Sequence, residues 1–342
     1  MPPTPKKSRP AGARPPSRPI QRTTAGQLRI TWSGMRTMYD FWGEPIKRHY
    51  TLDTLEHATN RMLIGQDKII GPSIRQVVGN SAVISLAFEL FQEGKFQLIF
   101  RVRALAANRK TAIFGFVVAK NHQELSTVAE HEHTCLRVMH ERAPNHVVRP
   151  FHGGRIFFPP TRSGHGEGRL VFAYLTQWLG NYHELGVERD LNFYVNVLRP
   201  QRLTNAQTED LKTKMVEIIA RTYDPLKRDC MEMPQIASGD FVVTKPTQGP
   251  LKLKLIACRR IVNRISPAKL IHLIASTSWD WDGKPFKIVP TEAEGLFDGI
   301  VRARGLEEAR SWIKAYRNAV LDGNLPEQDV PNKRALEKLC KK

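Results

Sequence analysis

Acidic residues are absent from the first thirty positions of this 342-residue chain, which hold Lys6, Lys7, Arg9, Arg14, Arg18, Arg22 and Arg29. Cysteine is scarce as well: Cys135, Cys230, Cys258 and Cys340 lie far apart and form no CxxC pair. That spacing argues against a disulfide framework or a zinc site, and places the chain in a reducing, cytoplasmic setting with its thiols as small apolar fillers. No apolar run approaches the roughly 20 residues that cross a bilayer. The N-terminus lacks the apolar segment of a secretory signal, and its proline density prevents the amphipathic helix of a transit peptide. Neither Gly-x-Ser-x-Gly nor His-Glu-x-x-His occurs, so two common hydrolase signatures are excluded.

What is present is positive charge. The net charge is +19, of which the first thirty residues supply +7 and the other 312 supply +12. Both tail and body therefore attract polyanions, and the expected partners are nucleic acid or an acidic protein. Residues 1–26, rich in Pro, Arg and Ser, bury too little to fold and read as a disordered basic tail. Residues 27–80 read as an extension with a short helix over Leu52–Leu63. A nucleic-acid-binding protein using this tail and body is one functional expectation, although no nucleic-acid motif is present.

From residue 81 the pattern turns to strands. Ala82–Leu90 and Phe96–Arg103 flank Gln92-Glu-Gly-Lys95 as a hairpin, and Ala112–Ala119 follows as a third strand. A helix is expected from Thr127, with Thr127 and Glu130 as a capping box, and Pro144 ends it. His146–Phe151, Arg155–Phe158 and Leu170–Leu175 complete the strand-rich region, with Thr161–Gly168 as a loop. Thr208–Tyr223 carries a helical apolar face, and Phe241–Val243 with Leu251–Cys258 forms a second β pair. Helices follow over Leu270–Ile274 and Glu307–Leu321. The plan is α+β: a β-rich small lobe over 81–176 and a mainly helical large lobe over 177–342.

Several segments carry chemistry. Val117-Val-Ala-Lys120 ends a strand on a lysine. Glu132-His-Thr-Cys-Leu136-Arg-Val-Met139 and Pro144-Asn-His-Val-Val-Arg149 follow on a helix and its exit. Val171-Phe-Ala-Tyr-Leu-Thr-Gln-Trp178, Ser238-Gly-Asp240 and Gly249–Ile256 come next in order. Together these resemble the protein-kinase and aminoglycoside-phosphotransferase superfamily, as a remote relative, across residues 82–320. The resemblance implies a two-lobed kinase-like fold and a nucleotide site, with ATP as the cofactor. Lys120 would neutralise phosphate, Glu132 would aim it, and Tyr174 and Thr176 would stand at the adenine-facing hinge. Asp240 would be the base for a substrate hydroxyl.

The departures from that pattern are as informative. Ala257-Cys258-Arg259-Arg260 stands where a metal-binding aspartate belongs, and Lys245 stands where a metal-binding asparagine is usual. Gln92–Lys95 is not a glycine-rich phosphate loop. No oxygen cage for Mg²⁺ remains, and the expectation is a pseudokinase or binding scaffold, with an atypical phosphotransferase as the active variant. Each residue also has a structural reading. Lys120 would be a solvated strand end, Asp240 a turn residue after Gly239, and Trp279-Asp-Trp-Asp-Gly283 a turn with packing tryptophans. His133 and His140 share a helix face, which would suit either packing or a metal.

Overall fold

Alternation sets the first sheet. In β3 (Gln97–Ala106) every second residue, from Leu98 to Ala106, is buried. β4 (Thr111–Ala119) alternates only at its start and is buried on both faces from Phe114 onward. A strand buried on both faces needs cover on both, and two helices supply it. The computed structural model describes residues 29–33, 69–93, 97–120, 123–158, 169–188, 192–197, 199–233, 238–276, 278–281, 284–287 and 293–325. The basic tail, the expected helix over Leu52–Leu63, the core of the Gln92–Lys95 turn and the Thr161–Gly168 loop lie outside them.

The sheet has six strands: β1 (Arg29–Ser33), β2 (Val83–Glu93), β3, β4, β5 (Pro150–Phe158) and β6 (Arg169–Gln177). Their spatial order is β1-β2-β3-β4-β6-β5, with β1 parallel to β2 and every other pair antiparallel. Phe100 and Phe116 face each other across β3 and β4, and Phe88 meets Phe116 edge-on at 5.8 Å. These rings form the centre of the core, where aromatic pairs add to plain area burial. α1 (Ile70–Val78) buries Ile70, Ile74 and Val78 against β4 and β5. α2 (Gln123–Arg142) packs on β5 and β6 from the other side. Gly153 of β5 permits that contact. A Cβ there would stand 2.9 Å from both Phe172 and Tyr174 and 3.0 Å from His133 of α2.

The second half begins with the five-stranded sheet β12-β11-β7-β8-β9. Its strands are β7 (Tyr182–Val187), β8 (Phe193–Val195), β9 (Gln201–Arg202), β11 (Phe241–Thr244) and β12 (Leu253–Leu255). α3 (Asn205–Thr222) opens with a capping box in which Thr204 and Gln207 satisfy each other's backbone amides. β10 (Cys230–Met231) pairs with β13 (Ile261–Val262), so the β11–β12 hairpin is bracketed by a second short pair. α4 (Pro267–Ser276) and the hairpin β14–β15 (Ser278–Trp281 and Lys284–Lys287) follow. Two last helices, α5 (Ala293–Arg304) and α6 (Leu306–Leu321), close the described chain. α5 packs on α3 through Gly299, where a Cβ would stand 2.7 Å from the Thr213 carbonyl oxygen. The mixed α+β class is therefore seen, with a β-sheet lobe and six α-helices among the described residues. None of those helices is long and apolar enough to cross a membrane.

Three local expectations are corrected. α2 starts at Gln123, so Thr127 lies inside the helix, and Glu130 pairs with Arg155 of β5 instead of capping. The buried Leu125 and Ser126, whose hydroxyl accepts from the Phe172 amide, hold that extra turn in place. His146–Val148 is not a strand of the large sheet, because its backbone bonds go to β12. The Val148 amide donates to the Leu255 carbonyl (2.8 Å), and the Leu255 amide donates to the His146 carbonyl (2.9 Å). The sheet strand begins only at Pro150 and runs unbroken to Phe158.

Candidate functional site

Glu132 projects from α2 into the sheet and is buried to 6% exposure. Its Oε1 accepts from the Tyr174 hydroxyl of β6 at 2.6 Å and from the Gln97 amide of β3 at 3.2 Å. Strand register brings these donors together: Gln97 faces Ala119 on β4, and Val117, two residues earlier, faces Tyr174. Lys120 comes one position after Ala119 and is buried to 4%. It is therefore not the solvated strand end that its sequence context also allows. A buried ammonium needs compensating charge or hydrogen bonds, which an exposed lysine does not. Burial pushes the Glu132 carboxyl above its ordinary range, against the hydrogen bonds from Tyr174 and Gln97 and the charge of Arg259. Burial, with Glu132 beside it, likewise drives the Tyr174 hydroxyl well up, so the shared proton stays on tyrosine.

Thr176 lies two residues beyond Tyr174 on the same face, with its hydroxyl 3.5 Å from the Gly115 carbonyl. Both residues sit on an interior strand, paired with β4 on one side and β5 on the other.

Asp240 closes a short 3₁₀ turn, Ser238–Asp240, at the entry to β11. It is 3% exposed and is gripped at both oxygens by Arg259: Nη2 to Oδ1 at 2.5 Å and Nη1 to Oδ2 at 2.6 Å. That is the bidentate fork by which guanidinium recognises a carboxylate. Burial pulls the Arg259 guanidinium down, but its bonds to Asp240 and the charges of Asp240 and Glu132 outweigh it and leave it raised. Asp240 is thus an ion-pair residue and not a free turn aspartate. The Glu132 carboxyl feels both Asp240 and Arg259, so the two clusters share one electrostatic neighbourhood. A small cleft opens beside the ion pair, lined by Met231, Glu232, Asp240, Cys258 and Arg259.

Arg260 also lines that cleft and stands 3.5 Å from Glu232, whereas Lys245 acts on His183 of β7. The two helix histidines are held by carbonyls, His133 Nε2 by Phe151 at 2.7 Å and His140 Nδ1 by Val147 at 3.1 Å. Among the described residues no three His, Cys, Asp or Glu side chains form a set that would hold a metal ion. Sequence reading singled out Glu132, Tyr174 and Asp240 but not their partners. Gln97 carries no local signal, and Arg259 stood out only as a residue occupying the wrong position for a metal ligand.

His133 supplies a pH test. Burial beside Phe172 and Tyr174 lowers its pKa below the ordinary 6.5, against the bond to the Phe151 carbonyl. The unfolded chain then binds the proton more readily than the folded chain. The contribution of neutral His133 to stability is fully present above about pH 6.5 and is lost as pH falls from there through the folded value. His146 and His183 are lowered by burial too and act with the same sign. Urea midpoints are expected to fall between pH 7.5 and pH 5.5, and less steeply in a His133→Gln variant. An equal or steeper fall in the variant would exclude His133 as a contributor.

Compared with known proteins, the chain matches no family model and no curated protein.

Proposed function

We propose that this protein is a kinase-like binding scaffold that has exchanged a catalytic metal for an internal arginine. The observation that carries the reading is the bidentate Arg259–Asp240 pair. A phosphoryl-transfer site needs a carboxylate free to meet a hydroxyl or a metal, and needs cationic charge brought by Mg²⁺. Here the buried carboxylate already carries its counter-charge, and a dication would have to displace a guanidinium to reach it.

The chain order of the parts supports the kinase-like half of the proposal. A meander of β2, β3 and β4 ends on buried Lys120. α2 then presents a buried glutamate, and β6 returns beside β4. Farther on, the β11–β12 hairpin is bracketed by β10 and β13, with Asp240 and Arg259 at its two ends. A strand lysine followed by a helix glutamate is the phosphate-holding arrangement of kinases. The departure is that Glu132 is committed to Tyr174 and Gln97. The described residues hold no set of carboxylates for a Mg²⁺ cage, so a bound phosphate would have to meet Lys120 without a metal.

Titration calorimetry with ATP, with and without Mg²⁺, tests this. Any nucleotide affinity is expected to be independent of Mg²⁺, with no release or transfer of the γ-phosphate. Mg²⁺-dependent hydrolysis would overturn the proposal. Lys120→Ala is expected to abolish whatever nucleotide binding exists, and an unchanged affinity in that variant removes the phosphate role from Lys120.

A further inference from the structure

One face of the six-stranded sheet carries arginines and aromatic rings that take no part in the Arg259–Asp240 site. Residues two apart on a strand share a face, and so do residues directly opposite on neighbouring strands. Register therefore sets rows of side chains across β1 to β4. Glu89, Arg101 and Gly115 make one row, Arg103 and Ile113 lie in the next, and Arg29 of β1 opens the third. At one end of this face Gln97 is taken by Glu132 of α2. Beyond it the face is open: Arg103 is exposed, and Ile113 is 42% exposed. The rings stand at the Arg101 row. Phe91, 60% exposed, meets Trp178 edge-on at 4.8 Å, and the Arg101 guanidinium lies 6.0 Å from the Trp178 ring centre. Gly115 keeps the floor there low, since a Cβ would stand 2.6 Å from the Thr176 hydroxyl and 3.8 Å from Trp178.

Charge selects a polyanion as the occupant. On these rows three arginines stand against one acid, Glu89. Arg109 and Lys110, both exposed, extend the basic band into the turn between β3 and β4. The chain enters the sheet through β1, so Lys6, Lys7, Arg9, Arg14, Arg18 and Arg22 all precede Arg29 at the edge of the same sheet.

We propose that this face binds single-stranded RNA, with bases stacked on Phe91 and Trp178 and the phosphate backbone along Arg101, Arg103 and Arg29. Aromatic rings beside a basic track suit a strand whose base faces are bare, which a duplex does not offer. Glu89 selects the sugar. Arg101 Nε and Nη2 both bond its Oε2, and its side chain is still 41% exposed. A carboxylate repels phosphate but accepts from a ribose 2′-hydroxyl, a donor that deoxyribose lacks. The surface uses neither Lys120 nor Asp240, so its test is separate from that of the nucleotide site.

The test titrates the full chain into a labelled single-stranded oligouridine and follows fluorescence anisotropy at several salt concentrations. Binding is expected, and it should weaken as salt rises. Phe91→Ala is expected to lower the affinity about tenfold, the scale of one lost base stack. Arg103→Glu is expected to cost more than Lys314→Glu, which makes the same charge change at an exposed position of α6. Phe91 and Arg103 are both exposed, so their variants are expected to melt with the parent chain. The matching oligodeoxyuridine should bind more weakly, and Glu89→Gln should narrow that gap. No binding to oligouridine, an unchanged affinity in Phe91→Ala, or equal losses in Arg103→Glu and Lys314→Glu would overturn the proposal. So would equal or tighter binding of the deoxy strand, of a duplex or of phosphatidylserine vesicles.

Discussion

Arg259→Ala is expected to reduce the unfolding free energy by about 3–5 kcal/mol, the usual cost of stripping one partner from a buried ion pair. The figure rests on what is left behind and not on the attraction that is lost. Asp240 is 3% exposed, and without Arg259 its charge would act on the Glu132 carboxyl with no guanidinium to offset it. Lysine is a poor substitute, since one ammonium does not reproduce two parallel bonds of 2.5 and 2.6 Å. Removing both charges should cost less than removing one. Urea denaturation of Arg259→Ala and of an Arg259→Leu/Asp240→Asn double variant measures this. A single-variant loss below about 1 kcal/mol would mean that the pair behaves like a surface ion pair.

The second large effect is expected at Arg142, the last residue of α2. Its guanidinium bonds Asp229 at 2.5 Å and the Thr222 carbonyl at 2.9 Å, and it reaches Asp224 at 3.5 Å. The side chains of Arg142 and Asp229 are only 14% and 11% exposed, so Asp229 and the α3 end would lose a partner that water replaces poorly. Arg142→Ala is expected to cost about 3 kcal/mol, at the low end for broken buried pairs. Amide exchange should quicken at the C-terminal turns of both α2 and α3, because one side chain serves both ends. If exchange quickens in α2 alone, Arg142 is only a local cap and the tie between the helices lies elsewhere.

The strands that sequence reading locates best are those with long alternation. β3 and β4 each run nine residues or more with the core residues in register, and Phe100 and Phe116 meet as their spacing suggests. Where the signal is short it fails: β9, β10 and β13 have two residues each, too few to show any period. α1 was hidden by Gly71-Pro72, which reads as a turn although proline is tolerated in a first helical turn. α5 was hidden by Gly295 and Gly299, the second of which is needed for close approach to α3. At the site, Glu132 and Asp240 were singled out through the order of segments that resembles a kinase-like chain, a helix glutamate after a strand lysine and an aspartate before a hairpin. Their pairings were not: Tyr174 was expected at a hinge and not on Glu132, 42 positions away, and Gln97 and Arg259 lie 35 and 19 positions from the carboxylates they meet. Contacts of that range are set by strand order, which no local window contains.

The backbone bridge between Val147 and Leu255 has a practical consequence for anyone dividing this chain. Residue 177 looks like a clean place to cut, since the six-stranded sheet is complete there. A fragment ending at that point would carry the His146 carbonyl and the Val148 amide without their mates on β12. The complementary fragment would expose the inner edge of β12 in return. Each piece would present an open strand edge next to apolar side chains, which is the recipe for self-association. Expression of either half alone is therefore better judged by its solubility beside the other half than by its own yield.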